Sequence, residues 1–258
     1  MKTLSVRMIF WHCSRLNSEV GKGARDFLAI LRESGGEILR FWPPPKQVWE
    51  DDPYSDGRLL RFVSDENETL QAHPEPEKEI DRQGNFNATF SNRFLTRSAF
   101  ENKTFKDVPP TGNLDYFQNG RFLWLSQLCR LDRPQNVNDV AHGQLGLGKM
   151  LYPRLCPTYG WIDEAGDNLP SEKNTKKTEI KYIFWANFFG PDYVKKFGRD
   201  FLLGARGWKK EELADGGILY VLTENFLDWW KKKPAAVLQY FRSEIPGVKL
   251  YKAKESYD

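Results

Sequence analysis

The stretch LSVRMIFW, residues 4–11, decides how this chain is read. Val, Ile, Phe and Trp at its β-favouring positions make it a strand, and its last three residues, Ile9-Phe10-Trp11, return as Ile183-Phe184-Trp185. A second block returns with it: Arg25-Asp26-Phe27-Leu28 matches Arg199-Asp200-Phe201-Leu202 at the same offset of 174. In the first copy Asn17 or Ser18 offers an N-cap, and Val20, Ala24, Phe27, Leu28 and Leu31 draw one apolar helical stripe. Gly35-Gly36 stops that helix, and Ile38 to Trp42 forms a second strand ended by Pro43-Pro44-Pro45.

The second copy has the same order. Glu179 to Asn187 reads as a strand, Gly190-Pro191 opens a helix with proline in its tolerated first turn, and Tyr193, Val194, Phe197 and Phe201 share one face. Gly216-Gly217 then precedes the strand Ile218 to Leu222. The Gly-Gly pairs are offset by 181, so the second copy carries about seven extra residues around Trp208 to Leu213. Internal duplication is the expected origin; the alternative is two unrelated units of ordinary composition. A helix Pro234 to Arg242, with Val237, Leu238 and Phe241 inward, and a strand Val248 to Lys252 close the chain.

These elements predict an α+β (mixed α/β) fold of two pseudo-repeated strand-helix-strand units, packed as sheets covered by helices. Helical crossovers of this length suit neighbouring parallel strands. The expected organisation is one compact domain over 1–258, with a first unit at 1–49, an acidic and irregular segment at 50–170, and a second unit at 171–258. Within the middle segment the patterns predict a strand at Arg58 to Val63, an amphipathic helix at Gly120 to Leu131, and an exposed connection from Pro170 to Lys177.

Composition excludes several classes. At 258 residues and 40% hydrophobic content the chain can bury a substantial core. Its longest apolar runs, such as Tyr182 to Trp185, fall far short of the roughly 20 residues that span a bilayer, so no membrane role is expected. Arg7 interrupts the first apolar stretch, and Trp11 and His12 stand where an export signal needs small residues. Three cysteines, Cys13, Cys129 and Cys156, cannot all pair and match no metal framework. Together these point to a reducing cytoplasm. The N-x-T triplets at Asn67, Asn87 and Asn102 are assigned no function.

No catalytic signature emerges. Gly143 to Lys149 satisfies G-x-x-x-x-G-K, but Met150 replaces the hydroxyl residue that a phosphate loop places on magnesium, and a glycine-rich turn is expected. His12, His73 and His142 stand apart, without metal-ligand spacing. Cys13 and its neighbour His12 point to opposite faces of a strand, and Ser91, Ser98 and Ser126 lie in no nucleophile elbow. Acid pairs such as Asp51-Asp52 and Asp163-Glu164 keep open an enzyme assembled from scattered carboxylates. Lys195, Lys196, Arg199, Lys209, Lys210, Lys231, Lys232 and Lys233, interleaved with tryptophans, keep open a nucleic-acid module, although cations on the polar side of an amphipathic helix are ordinary.

Charge is unevenly spread. From Glu50 to Arg82 eleven carboxylates face four cations, against a net charge of +3 for the whole chain. Such a segment is either a solvated loop or a surface that steers a partner.

Residues of the C-terminal third carry a family likeness: Tyr159-Gly160-Trp161-Ile162-Asp163, then Trp185-Ala-Asn-Phe-Phe-Gly190-Pro191-Asp-Tyr193-Val194, Gly198, Asp215-Gly216-Gly217, Trp229-Trp230 and Val237. This pattern resembles the immunity protein 52 family of bacterial polymorphic toxin systems, and is similar to type VI immunity proteins paired with VRR-type nuclease effectors. The resemblance implies a non-enzymatic cytoplasmic inhibitor, needing no cofactor or metal and touching no nucleic acid directly, that binds a cognate toxin. Asp51, Asp52, Asp65, Glu66 and Glu68 of the acidic segment and the C-terminal aromatics Trp208, Trp229 and Trp230, expected to be exposed, are then the candidate toxin-binding residues.

Overall fold

The computed structural model describes residues 3–11, 13, 29, 36–42, 86–92, 111–117, 122–130, 134–164, 175, 177–232 and 235–251. Residues 4–11 begin it as expected: β1 (Thr3–Trp11) is a continuous strand. Its residues from Leu4 to Trp11 are all buried, even and odd positions alike. That explains a nearly unbroken apolar run, because both faces of this strand are covered and alternation has no solvent side to report.

Eight further strands join it in one sheet: β2 (Gly36–Trp42), β3 (Phe86–Asn92), β4 (Thr111–Phe117), β5 (Phe122–Arg130), β6 (Tyr159–Glu164), β8 (Ala186–Phe189), β9 (Lys209–Glu212) and β10 (Ile218–Val221). The spatial order is β2-β3-β4-β5-β1-β6-β8-β10-β9, and each neighbouring pair is antiparallel. Two short strands, β7 (Tyr182–Ile183) and β11 (Lys249–Leu250), pair in parallel as a separate sheet. The fold is therefore mixed α+β, as the pattern of elements predicts.

Neighbouring parallel strands within each unit are not what forms. β1 and β2 of the first unit are separated by β5, β4 and β3, whereas β8 and β10 of the second unit are adjacent and antiparallel. The reason is that β5 and β6 flank β1 on both sides and leave it no free edge for β2.

Within the predicted helix Gly120 to Leu131, the described residues Phe122–Arg130 form a strand instead. Phe122, Leu123, Leu125, Leu128 and Cys129 fit a helical stripe, but β5 pairs with β1 along its length, with Leu123 opposite Phe10 and Cys129 opposite Leu4. Long-range pairing overrides the local pattern.

The glycine-rich stretch Gly143 to Lys149 is not a turn either. It lies inside α1 (Pro134–Leu155), the longest helix among the described residues. Three glycines weaken a helix by about 1 kcal/mol each, yet at Gly148 the absence of a side chain lets the helix settle on the sheet. A Cβ there would lie 2.9 Å from Phe188 Cζ and 3.0 Å from Met8 Sδ. Phe10 meets Tyr152 of α1 edge-on at 6.4 Å, so α1 covers the face carrying Met8, Phe10 and Phe188.

The opposite face is covered by C-terminal elements other than the helix Phe226–Lys232, which packs against α1, Phe226 N donating to Asn138 Oδ1 at 2.8 Å. Pro191 opens α2 (Pro191–Phe197), and Gly198, at φ 88°, separates it from α3 (Arg199–Gly204), so the predicted single helix becomes two short ones. The chain ends in α4 (Phe226–Lys232) and α5 (Ala235–Glu244). Val237 and Phe241 are buried as expected, and Phe241 meets Tyr220 edge-on at 5.5 Å. Trp161 stacks on Phe184 at 4.3 Å, with Tyr251 beyond. The strand Arg58 to Val63, most of the first helix, and most of Pro170 to Lys177 lie outside the described residues. Ala29 is helical, and Thr175, within the predicted exposed connection, is buried.

Candidate functional site

The predicted strand Glu179 to Asn187 is broken after Ile183, and the break creates the most polar point of the core. Phe184 and Trp185 belong to neither β7 nor β8, so their buried backbone N–H groups need partners outside a ladder. Two side chains supply them. Asn187 Oδ1 accepts from Phe184 N at 3.1 Å while its Nδ2 donates to Phe184 O at 2.8 Å. Tyr159 OH also donates to Asn187 Oδ1, at 3.1 Å. Asp163 Oδ2 accepts from Trp185 N at 2.8 Å.

Asp163 holds three elements at once. Its Oδ2 also accepts from the indole N–H of Trp229 in α4 at 3.0 Å, and its Oδ1 from Glu164 N at 2.7 Å. The side chain is 2% exposed. Burial pushes its pKa up, the three N–H donors pull it down, and the result is about 7, far above the usual 3.8. Arg7, itself buried, occupies the rung of β1 opposite Asp163. Both oxygens of Asp163 are committed to structural donors, so the group acts as a clamp between β6, the strand break and α4.

An aromatic series runs from this clamp to the surface. Trp185, whose own indole donates to Thr223 O at 3.0 Å, meets the His142 ring edge-on at 5.6 Å. His142 meets Trp208 edge-on at 5.5 Å on its other side and donates from Nε2 to Glu224 O at 2.7 Å. Trp208 is 44% exposed and leads into β9. Charged pairs line this edge of the sheet: Lys149 of α1 bridges Glu211 at 2.8 Å, Lys209 approaches the same carboxylate at 3.5 Å, and Arg199 pairs with Glu212. Lys149 holds Glu211 below the ordinary glutamate range. Lysine and glutamate along an edge strand also discourage unspecific strand pairing.

A shallow cleft of about 540 Å³ lies between α2, α5 and the small sheet, with Tyr182 and Phe197 beside Ile180 and Ile245. Glu179, Glu244, Lys181, Lys196 and Lys249 also line it. Lys196 is turned to the backbone, donating to Lys177 O and Thr178 O at 3.1 and 2.8 Å. Among the described residues no group of three or more His, Cys, Asp or Glu side chains could hold a metal ion.

Of the predicted contact residues, Trp208 is exposed as expected. Trp229 is not: at 2% exposure its indole is buried and bound to Asp163. The backbone of Trp230 belongs to α4, and its side chain lies outside the described residues, as do Asp51, Asp52, Asp65, Glu66 and Glu68. Sequence reasoning missed His142 as the support for Trp208, and Asn187 as the side chain that closes the strand break. The only signal for either was polarity inside an apolar run.

No family model matches the chain, and no curated protein matches it. Among solved structures, the Pseudomonas aeruginosa T6SS protein PA0821 is similar with a TM-score of 0.44 and 13% identity, covering 95% of this chain and 76% of that one.

Proposed function

We propose that this chain is a binding protein of the immunity type, which captures a cognate toxin, a nuclease by the resemblance, and blocks it. The observation that supports the reading most is the division of labour among the residues carrying the resemblance. Tyr159, Trp161, Asp163, Trp185, Tyr193 and Trp229 are buried, and three of them meet at the Asp163 clamp. They build a scaffold, and the chemistry around Asp163 is that of backbone satisfaction rather than proton transfer.

What the scaffold offers outward is Trp208, backed by His142 and flanked by the charged strand β9. A large aromatic held rigidly at the surface is a favourable anchor for a protein partner, because little rotamer entropy remains to be lost on binding. The acidic residues Asp51, Asp52, Asp65, Glu66 and Glu68 would add steering toward a basic nuclease surface. No helix among the described residues is long and apolar enough to cross a membrane.

The experiment is co-expression with the product of the adjacent gene, followed by binding of the purified pair. A toxic neighbour, rescue of growth and a salt-sensitive complex are expected. Trp208→Ala should weaken the complex on the order of 10- to 100-fold. A neighbour that is neither toxic nor bound would remove the reading.

A further inference from the structure

The nine-stranded sheet ends in β9, and no described strand covers the outer side of its backbone. β9 runs antiparallel to β10, with Glu212 opposite Ile218 and Lys209 opposite Val221. Two hydrogen bonds set the phase of this ladder. Leu213 N donates to Gly217 O at 2.8 Å beside the turn, and Leu222 N donates to Trp185 O at 2.9 Å on the other side of β10. Even-numbered residues of β10 therefore turn their N–H and C=O groups to β8, and odd-numbered ones to β9. Across the register, Lys209, Glu211 and Leu213 bond to β10, so the N–H and C=O groups of Lys210 and Glu212 point outward from the sheet.

Such an edge is a template for another strand unless its side chains forbid the pairing. Lys210 and Glu212 are exposed and share one face of β9, while Lys209 and Glu211 are half-buried on the other. Strands that pair antiparallel must oppose outward-pointing residues to outward-pointing residues. For two copies of β9 about a two-fold axis, one such register sets Lys210 on Lys210 and another sets Glu212 on Glu212, like charge on like. The register between them centres on Glu211. It sets Lys210 of each copy opposite Glu212 of the other, each pair exchanging both of its N–H···O bonds and matching opposite charges. Arg199 engages only Oε1 of Glu212 among the described residues, which leaves Oε2 for the incoming ammonium. On the other face the two Glu211 carboxylates meet at the axis, each with Lys149 at 2.8 Å and Lys209 at 3.5 Å to offset the repulsion.

We propose that the chain forms a symmetric homodimer through β9, the two sheets joining edge to edge in the register that places Lys210 against Glu212. The interface is isologous, as a two-fold requires. It is also short and largely polar, so its Kd is on the order of 10–100 μM, and it weakens with added salt. Trp208 and Ala214 come opposite one another just beyond the paired residues, which keeps Trp208 at the rim. The pairing needs no toxin, because the edge, its phase and its charges all belong to the chain itself.

The test is sedimentation-velocity ultracentrifugation of the full chain at low salt, from roughly a tenth to ten times that Kd. A monomer that converts to dimer across the range is expected. Lys210→Glu and Glu212→Lys should each raise Kd by about tenfold or more, since each sets like charges against one another at both pairs. An equimolar mixture of the two variants should associate again, because the carboxylates of one chain then face the ammonium groups of the other. The double variant Lys210→Glu/Glu212→Lys restores the match within one chain and should dimerise as the natural protein does, which carries the test even if one single variant fails to fold. A chain that stays monomeric throughout would overturn the proposal. So would a dimer indifferent to both single substitutions, or folded variants that do not associate when mixed.

Discussion

Replacing Asp163 by Asn tests the clamp at the strand break. The carboxylate receives three N–H groups: Trp185 N and Trp229 Nε1 on Oδ2, and Glu164 N on Oδ1. An amide has one oxygen. Its best orientation keeps that oxygen on Trp185 and Trp229 and turns its NH₂ toward Glu164 N, donor against donor, where Oδ1 now accepts at 2.7 Å. Losing that bond and stranding a buried N–H costs about 1–3 kcal/mol.

The pH dependence distinguishes this account from generic core damage. Asp163 has a folded pKa of about 7 against 3.8 when exposed, so between those values the folded state holds a proton that the unfolded state has released. Stability from this group is therefore fully present below about pH 4 and is lost as pH rises to about 7. The interval corresponds to a change on the order of 4 kcal/mol. The Asn variant cannot titrate. Its deficit of about 1–3 kcal/mol relative to the natural protein is that at pH 8, where the natural protein carries the carboxylate, and it should grow by several kcal/mol as pH falls to 4. Urea denaturation followed by tryptophan fluorescence at pH 4, 5, 6, 7 and 8 measures both curves. A deficit that is constant across this range would refute the picture of Asp163 as a buried group caught between desolvation and its three donors.

Other substitutions probe separate parts of the scaffold. Gly148→Ala should destabilise by about 1–3 kcal/mol despite alanine's higher helix propensity, because its Cβ would press on Phe188 and Met8; a gain in Tm would show that α1 can lift off the sheet without cost. Glu211→Gln removes a partly exposed pair with Lys149 and should cost under about 1 kcal/mol, less in high salt, as read from urea midpoints at two ionic strengths. Trp208→Ala should change stability by no more than about 1 kcal/mol while its effect on partner binding is large; parallel denaturation and binding titrations separate the two.

The legible parts of the fold were those whose signals are local. Pro191 behind Gly190 opened a helix, Gly216-Gly217 preceded a strand, and residues 4–11 formed one. The misread parts turned on partners distant in sequence. Nothing within Phe122–Arg130 says that its apolar residues will align along β1 rather than wrap into a stripe, and nothing within Gly143 to Lys149 reveals that Met8 and Phe188 require a glycine at position 148. Asp163 drew notice as one of a carboxylate pair with Glu164 and as the end of the Tyr159 to Asp163 block, but not as a clamp, since the groups that define it, Trp185 and Trp229, lie 22 and 66 residues away. Trp229 was misjudged for a related reason: three lysines follow Trp230 and suggest a wet surface, whereas one turn of α4 is enough to send one indole inward.

The repeated tripeptide shows how far local identity can carry a fold. Ile9-Phe10-Trp11 runs through a continuous strand paired on both sides, with β5 reaching Phe10 and β6 reaching Trp11. Ile183-Phe184-Trp185 has the same side chains but ends one strand and leaves two residues outside any ladder. The difference comes from Asn187 and Asp163, whose side chains bind the backbone of Phe184 and Trp185 where a neighbouring strand would otherwise do so. In the first copy the residue aligned with Asn187 by the 174 offset is Cys13, which offers no comparable amide and lies beyond the end of β1. Two polar side chains thus convert a strand into a break. That break frees β7 to pair with β11 outside the main sheet, and places Trp185 under His142, where it supports the one large aromatic exposed among the described side chains.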